Sequence, residues 1–140
     1  MAKKRMFSTQ ITESDAFTGM PLSSQALYFH LSLNSDDDGF LDSPRRVQRM
    51  IGASDDDMNL LIAKKFIIPF ESGVIVIKHW KINNYIRKDR YTPTVYTEEM
   101  SMLTTKKNGA YSLSVDDGIP SDNQATTARL PIGGIDKNRL

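Results

Sequence analysis

The chain has no cysteine in 140 residues, which excludes disulfide staples, cysteine-ligated zinc and thiol catalysis. It also lacks long apolar runs; none approaches the roughly 18 residues needed to cross a bilayer. The N-terminus, MAKKRMFSTQ, carries the charges of a signal peptide without the apolar stretch that should follow them. These absences predict a soluble, cytoplasmic protein with no membrane association. Histidine is scarce as well: His30 and His79 are the only two. Neither has an acid or a nucleophile at a spacing that suggests catalysis, so packing roles are expected for both. No glycine-rich phosphate loop is present, neither GxGxxG nor GxxxxGK(S/T). The chain is therefore expected not to be an enzyme and to take no cofactor. Overall charge bias is missing too, with 18 basic side chains against 17 acidic ones.

What is present is unevenly spread. Apolar residues make up 39% of the chain, below the roughly 45–50% of an average globular domain counted with glycine. Residues 5–103 hold nearly all of the large ones. Beyond Leu103 they thin to Leu113, Val115, Ile119, Leu130, Ile132, Ile135 and Leu140, separated by Gly, Pro, Ser, Thr, Asn and Asp. This predicts one domain over residues 1–103, followed by a flexible, disordered tail or linker over residues 104–140.

Along the domain the apolar period changes. Met6-Phe7 reads as a strand or a docked arm, and TESDAFTG (residues 12–19) as a short helix stopped by Gly19. Leu22, Ala26, Leu27, Phe29, Leu31 and Leu33 predict a helix over 21–34, and Phe40-Leu41 a very short strand. Ser43-Pro44 is a helix start. Val47, Met50 and Ile51 give that helix an apolar face, and Gly52 ends it. Ser54 with Asp57 resembles a capping box for a second helix, whose Met58, Leu61, Ile62 and Phe66 face inward. FIIPFESGVIVIKHW then switches to two β-rich runs around Glu71-Ser72-Gly73, a hairpin. Pro69 confines its strand to an edge. His79 to Ile86 reads as helical, Tyr91 to Val95 as extended, and Thr97 as the cap of a last helix. The expected fold class is α+β, mainly α: a winged helix-turn-helix with a short β-hairpin wing.

Four segments carry candidate chemistry. In NSDDDGFLDSPR (34–45), Asn34, Asp36, Asp38, Gly39 and Asp42 match part of a calcium loop. The twelfth position should be a glutamate and is Arg45, so a polar turn with Gly39 at the bend is the better reading and no metal is expected. On the helix after Ser43, Arg45 and Arg49 point away from the apolar face at 100° per residue, with Arg46 beside them. Three guanidiniums and no acid can grip phosphates, although an ordinary solvated face is the alternative. In helix-turn-helix proteins the second helix enters the major groove by its N-terminal end, and here that end is Asp55-Asp56-Asp57. Carboxylates there favour the helix but repel a phosphate backbone. Asn59 can still read a base edge, and Lys64 and Lys65 sit at the far end.

The most concentrated signal is HWKINNYIRKDRY (79–91). From Lys78 to Arg90, five basic residues stand against Asp89 alone, a local net of +4. Tyr85 and Tyr91 are interleaved, which suits stacking or hydrogen bonding to a sugar–phosphate chain. With Arg45, Arg46, Arg49 and the N-terminal Lys3, Lys4 and Arg5, these cations are expected on one side of the molecule. The candidate nucleic-acid-binding residues are Arg45, Arg46, Arg49, Asn59, Lys64, Lys78, Lys81, Arg87, Lys88, Arg90 and Tyr91. A rival expectation makes Ile75, Ile77 and Trp80 a seam between two copies, with the cations as its rim.

MFSTQITESDAFTGMPLSSQALYFHLSLNSDDDGF, SPRRVQRMIGASDDDMNLLIAKKFI and, most specifically, IKHWKINNYIRKDRYTPTVYTEE resemble the N-terminal winged-helix domain of phage replisome organisers. These are related to the DnaD-like primosomal proteins of Gram-positive bacteria. The resemblance covers about residues 7–103. It implies a phage or prophage DNA-replication initiation protein that binds origin DNA and recruits host helicase-loading proteins; the expected nucleic-acid partner is DNA, duplex or single-stranded. The same fold serves self-association in DnaD-like proteins, so a homo-oligomeric assembly module is the alternative implied. A winged-helix transcription regulator would share the DNA chemistry.

Overall fold

Serine hydroxyls punctuate the start of the chain. Ser8 and Ser14 cap two single turns, α1 (Thr9–Thr12) and α2 (Asp15–Thr18), by accepting the N–H of Gln10 and of Phe17. Turns this short do not persist alone; the buried side chains of Ile11 and Phe17 hold them to the core. The computed structural model describes residues 4–114. Lys3 and most of the expected tail, residues 115–140, lie outside the described residues.

Helix α3 (Leu22–Leu33) starts after Pro21 and buries Leu27, Tyr28 and Leu31 completely. After the short strand β1 (Phe40–Leu41), α4 (Pro44–Ile51) begins on its proline and ends at Gly52, whose φ of 75° makes the left-handed cap. Helix α5 (Asp55–Ala63) opens with the expected capping box between Ser54 and Asp57. The buried Asp57 also accepts the hydroxyls of Ser23 and Ser24 at 2.7 and 3.0 Å, and so ties the start of α5 to α3. The helix stops short of Lys65, which has φ 63°. Phe66 therefore enters the core from the turn, not as part of the helical stripe.

The hairpin is β2 (Ile67–Pro69) and β3 (Ile75–Ile77), turned at Gly73 with φ 92°. Strand β1 pairs antiparallel along the other side of β3, Phe40 opposite Val76, giving the order β1-β3-β2 and placing Pro69 on an edge. The class is α+β. Among the described residues no helix is long and apolar enough to cross a membrane.

Beyond the hairpin the chain departs from expectation. The helix read over 79–86 is one turn, α6 (Trp80–Asn83), because Asn84 leaves helical geometry with ψ 140°. In α7 (Thr97–Ser101) Thr97 is the first helical residue; Tyr96 stands in the cap position without a side-chain cap bond. The largest correction concerns the domain edge at Leu103. It falls inside a second hairpin, β4 (Leu103–Thr105) and β5 (Tyr111–Leu113), paired antiparallel. Tyr111 is buried and its N–H donates to the Lys78 carbonyl at 2.9 Å, so residues 104–114 are part of the packed unit and not tail. Strands of three residues are too short to display a period, and Leu103, Tyr111 and Leu113 are the large side chains in them.

Gly39 has the least freedom to change. Its φ is 91°, and a Cβ there would lie 2.7 Å from Cγ of the buried Trp80. Gly39→Ala combines a left-handed backbone penalty with overpacking, and is expected to destabilise the fold by about 3 kcal/mol. Urea unfolding of the variant and the parent, followed through Trp80 fluorescence, measures it.

Candidate nucleic-acid interface

Folding sorts the residues of HWKINNYIRKDRY into two populations. Trp80, Asn83 and Asn84 are buried, whereas Lys81, Tyr85, Arg87, Lys88 and Arg90 are exposed. The two asparagines hold the N-terminal arm. Asn83 Oδ1 accepts the Ser8 N–H at 2.9 Å and Asn84 Oδ1 accepts the Met6 N–H at 2.8 Å. Asn83 Nδ2 donates to the Tyr28 hydroxyl, whose pKa burial raises well above the ordinary tyrosine value. Of the two readings of Met6-Phe7, the docked arm is the one found. Sequence reasoning missed these anchors; an adjacent pair of uncharged amides next to the single Trp was the only signal.

The acidic turn holds the other side of this region. Asp36 accepts the N–H groups of Asp38 and Phe40 and the Thr94 hydroxyl. Asp37 pairs with the Arg5 guanidinium at 3.1 Å and accepts the Thr92 N–H. Asp38 accepts the Tyr91 hydroxyl at 2.7 Å and the Thr94 N–H, and its carbonyl takes the Tyr111 hydroxyl. Burial, and then Asp38, push the Tyr91 hydroxyl up to about 12. That hydroxyl is thus committed inside the protein, which corrects its expected use on a sugar–phosphate chain; only its ring remains partly exposed. Among the described residues no group of three or more His, Cys, Asp or Glu is arranged to hold a metal.

Most of the expected cations fall into three clusters. On α4, Arg46 and Arg49 are exposed and have no ion-pair or hydrogen-bond partner among the described residues. Arg45 donates to Gln48 at 2.8 Å and to Asp55 at 3.3 Å, while Gln48 donates to Asp55, a triangle that links α4 to the start of α5. The second cluster lies under the second hairpin. Lys78, Lys65 and Lys106 line a cleft of about 290 Å³, and the Lys81 ammonium sits 5.5 Å from the Tyr111 ring centre. In the third, Arg87 and Arg90 meet Lys4 and Arg5 around a groove of about 810 Å³. Neither cavity includes the α4 arginines.

The remaining candidates stand apart. Lys88 is exposed and lines neither cavity; Asn59 is exposed on α5; the Lys64 ammonium reaches the Ala16 carbonyl at 3.5 Å. Arg87 pairs with Asp89 at 3.0 Å, but both side chains are more than half exposed. A pair so solvated is worth little and exchanges readily for another anion. Ile75, Ile77 and Trp80, the rival seam between copies, are 4%, 0% and 2% exposed within one chain and cannot face a second. Compared with protein-family models, with curated proteins and with solved structures, the chain matches none.

His79 packs its ring 5.5 Å from that of Phe66, and its buried Nδ1 has no hydrogen-bond partner. Burial, helped by Lys78, lowers its pKa from 6.5 to about 4. The unfolded chain then binds more protons than the folded one between these values. Stability is full above pH 6.5 and declines as the pH falls toward 4, by about 1–2 kcal/mol at pH 5. Denaturant titrations at pH 7 and pH 5 should show that loss, and His79→Leu should remove most of it.

Proposed function

We propose that this chain is a DNA-binding winged helix-turn-helix protein of the replisome-organiser kind, acting in the initiation of phage or prophage DNA replication. The order α3, β1, α4, α5, then the β2–β3 hairpin with β1 along β3, supports the winged reading. The observation that carries DNA binding is the segregation within residues 79–91, where Trp80, Asn83 and Asn84 go inward while Lys81, Tyr85, Arg87, Lys88 and Arg90 stay in solvent. A helix face with Arg46 and Arg49 unpaired among the described residues adds a second cationic surface.

Contact is to phosphates more than to base edges. The exposed Asp55 and Asp56 at the start of α5 oppose insertion of that end into a groove, and Arg45 is partly neutralised by Asp55. Sequence discrimination is accordingly modest, or supplied by several copies acting together. Host helicase-loading proteins are the partners that the resemblance implies.

Mobility-shift titrations against random-sequence duplex at several salt concentrations test the reading. Affinity should fall steeply with salt as neutralised phosphates release counterions. Arg46→Ala with Arg49→Ala should weaken binding to every sequence alike and reduce the salt slope by about 2. No binding of the parent chain to duplex at low salt overturns the proposal.

A further inference from the structure

We propose that the groove between the N-terminal arm and the loop from Asn84 to Thr92 is a binding site for a single strand of nucleic acid, separate from the α4 surface offered to a duplex. The inference rests on the reading of Arg87 and Arg90 as phosphate-gripping residues. It adds which form of nucleic acid they grip.

The groove, about 810 Å³, combines three kinds of group. Lys4, Arg87 and Arg90 supply exposed positive charge along its walls. Tyr85, 76% exposed, supplies an aromatic face in the same concavity. Asn84 and Arg5 form part of the wall, and Nδ2 of Asn84 and Nε of Arg5 are buried donors without an acceptor among the described residues. The orientation of the Asn84 amide is set, because its Oδ1 is occupied by the Met6 N–H. Asp36 and Asp37 also line the groove, but their carboxylates are engaged by Thr94, by backbone N–H groups and by Arg5.

The aromatic ring decides between the two forms. In a duplex the base faces are covered by their neighbours, so a solvated tyrosine in a basic groove has nothing to stack on. An unpaired base exposes that face, and stacking on aromatic rings beside a cationic track is how single strands are held without sequence preference. A peptide rich in carboxylates would use the cations and leave Tyr85 idle.

Fluorescence anisotropy of the full chain with labelled oligothymidine and with labelled random duplex tests the proposal. Tyr85→Ala should weaken oligothymidine binding about fivefold or more and leave duplex affinity unchanged. Tyr85→Phe should keep single-strand binding, since the ring and not the hydroxyl stacks. Arg87→Ala with Arg90→Ala should weaken oligothymidine binding. Tyr85 is solvent-exposed, and circular dichroism melts will show that its variants remain folded. An unchanged oligothymidine affinity in Tyr85→Ala overturns this inference, as does an abasic sugar–phosphate strand or polyglutamate binding as tightly as oligothymidine. If duplex binding persists in those cases, only the single-strand site falls. If the parent chain binds neither form, DNA binding falls with it.

Discussion

The packing of Trp80 against the acidic turn is the contact on which the rest of the structure depends. Gly39 brings the backbone against one part of the indole, Nε1 donates to the Asp37 carbonyl at 2.8 Å, and the Arg5 guanidinium lies 5.0 Å from the ring centre. From that point the turn radiates in three directions. Arg5 ties in the N-terminal arm, Tyr91 and Thr94 tie in the strap after the basic segment, and Tyr111 ties in the second hairpin. A run of three aspartates would repel itself in isolation. Here each carboxylate has at least two donors, which turns a local liability into the organiser of segments far apart in sequence.

Charge is handled in two ways across the molecule. Acids that shape the fold are buried or bonded by the chain: Asp36 to Asp38 in the turn, and Asp57 between α3 and α5. Cations that shape nothing are left in solvent, as with Arg46, Arg49, Lys88 and Arg90. Arg45 is the intermediate case, solvated but bonded to Gln48 on its own helix and to Asp55 at the start of the next. Positive charge is thereby concentrated locally, on α4 and over residues 87–90, in a chain nearly neutral in total, while other acids such as Asp42, Asp56 and Glu71 remain exposed elsewhere on the surface.

Much of this was legible in sequence, for reasons that are local. The capping box at Ser54, the glycine stop at Gly52, the hairpin turn at Gly73 and the edge strand at Pro69 each follow from one or two residues and their immediate neighbours. What could not be read involved partners far apart. Asn83 and Asn84 look like solvated polar residues until the arm lies on them. Tyr91 looked available because nothing nearby in the chain claims its hydroxyl, and Asp38 lies 53 residues away. The second hairpin was hidden by three-residue strands and a polar composition. Most of the candidate cations are exposed, although Lys78 is half-buried, and their placement relative to the two grooves depends on tertiary contacts that no spacing encodes.

The arm's anchoring has an evolutionary corollary. Two of its bonds are made through the backbone N–H groups of Met6 and Ser8, and these two do not depend on which side chains stand at those positions. The positional information resides instead in two asparagines 78 and 75 residues downstream. Substitution at the exposed Met6 can therefore alter the chemistry presented beside the groove while its bond to Asn84 stays in place, a freedom that Arg5, bonded through its side chain to Asp37 and Ser35, does not share.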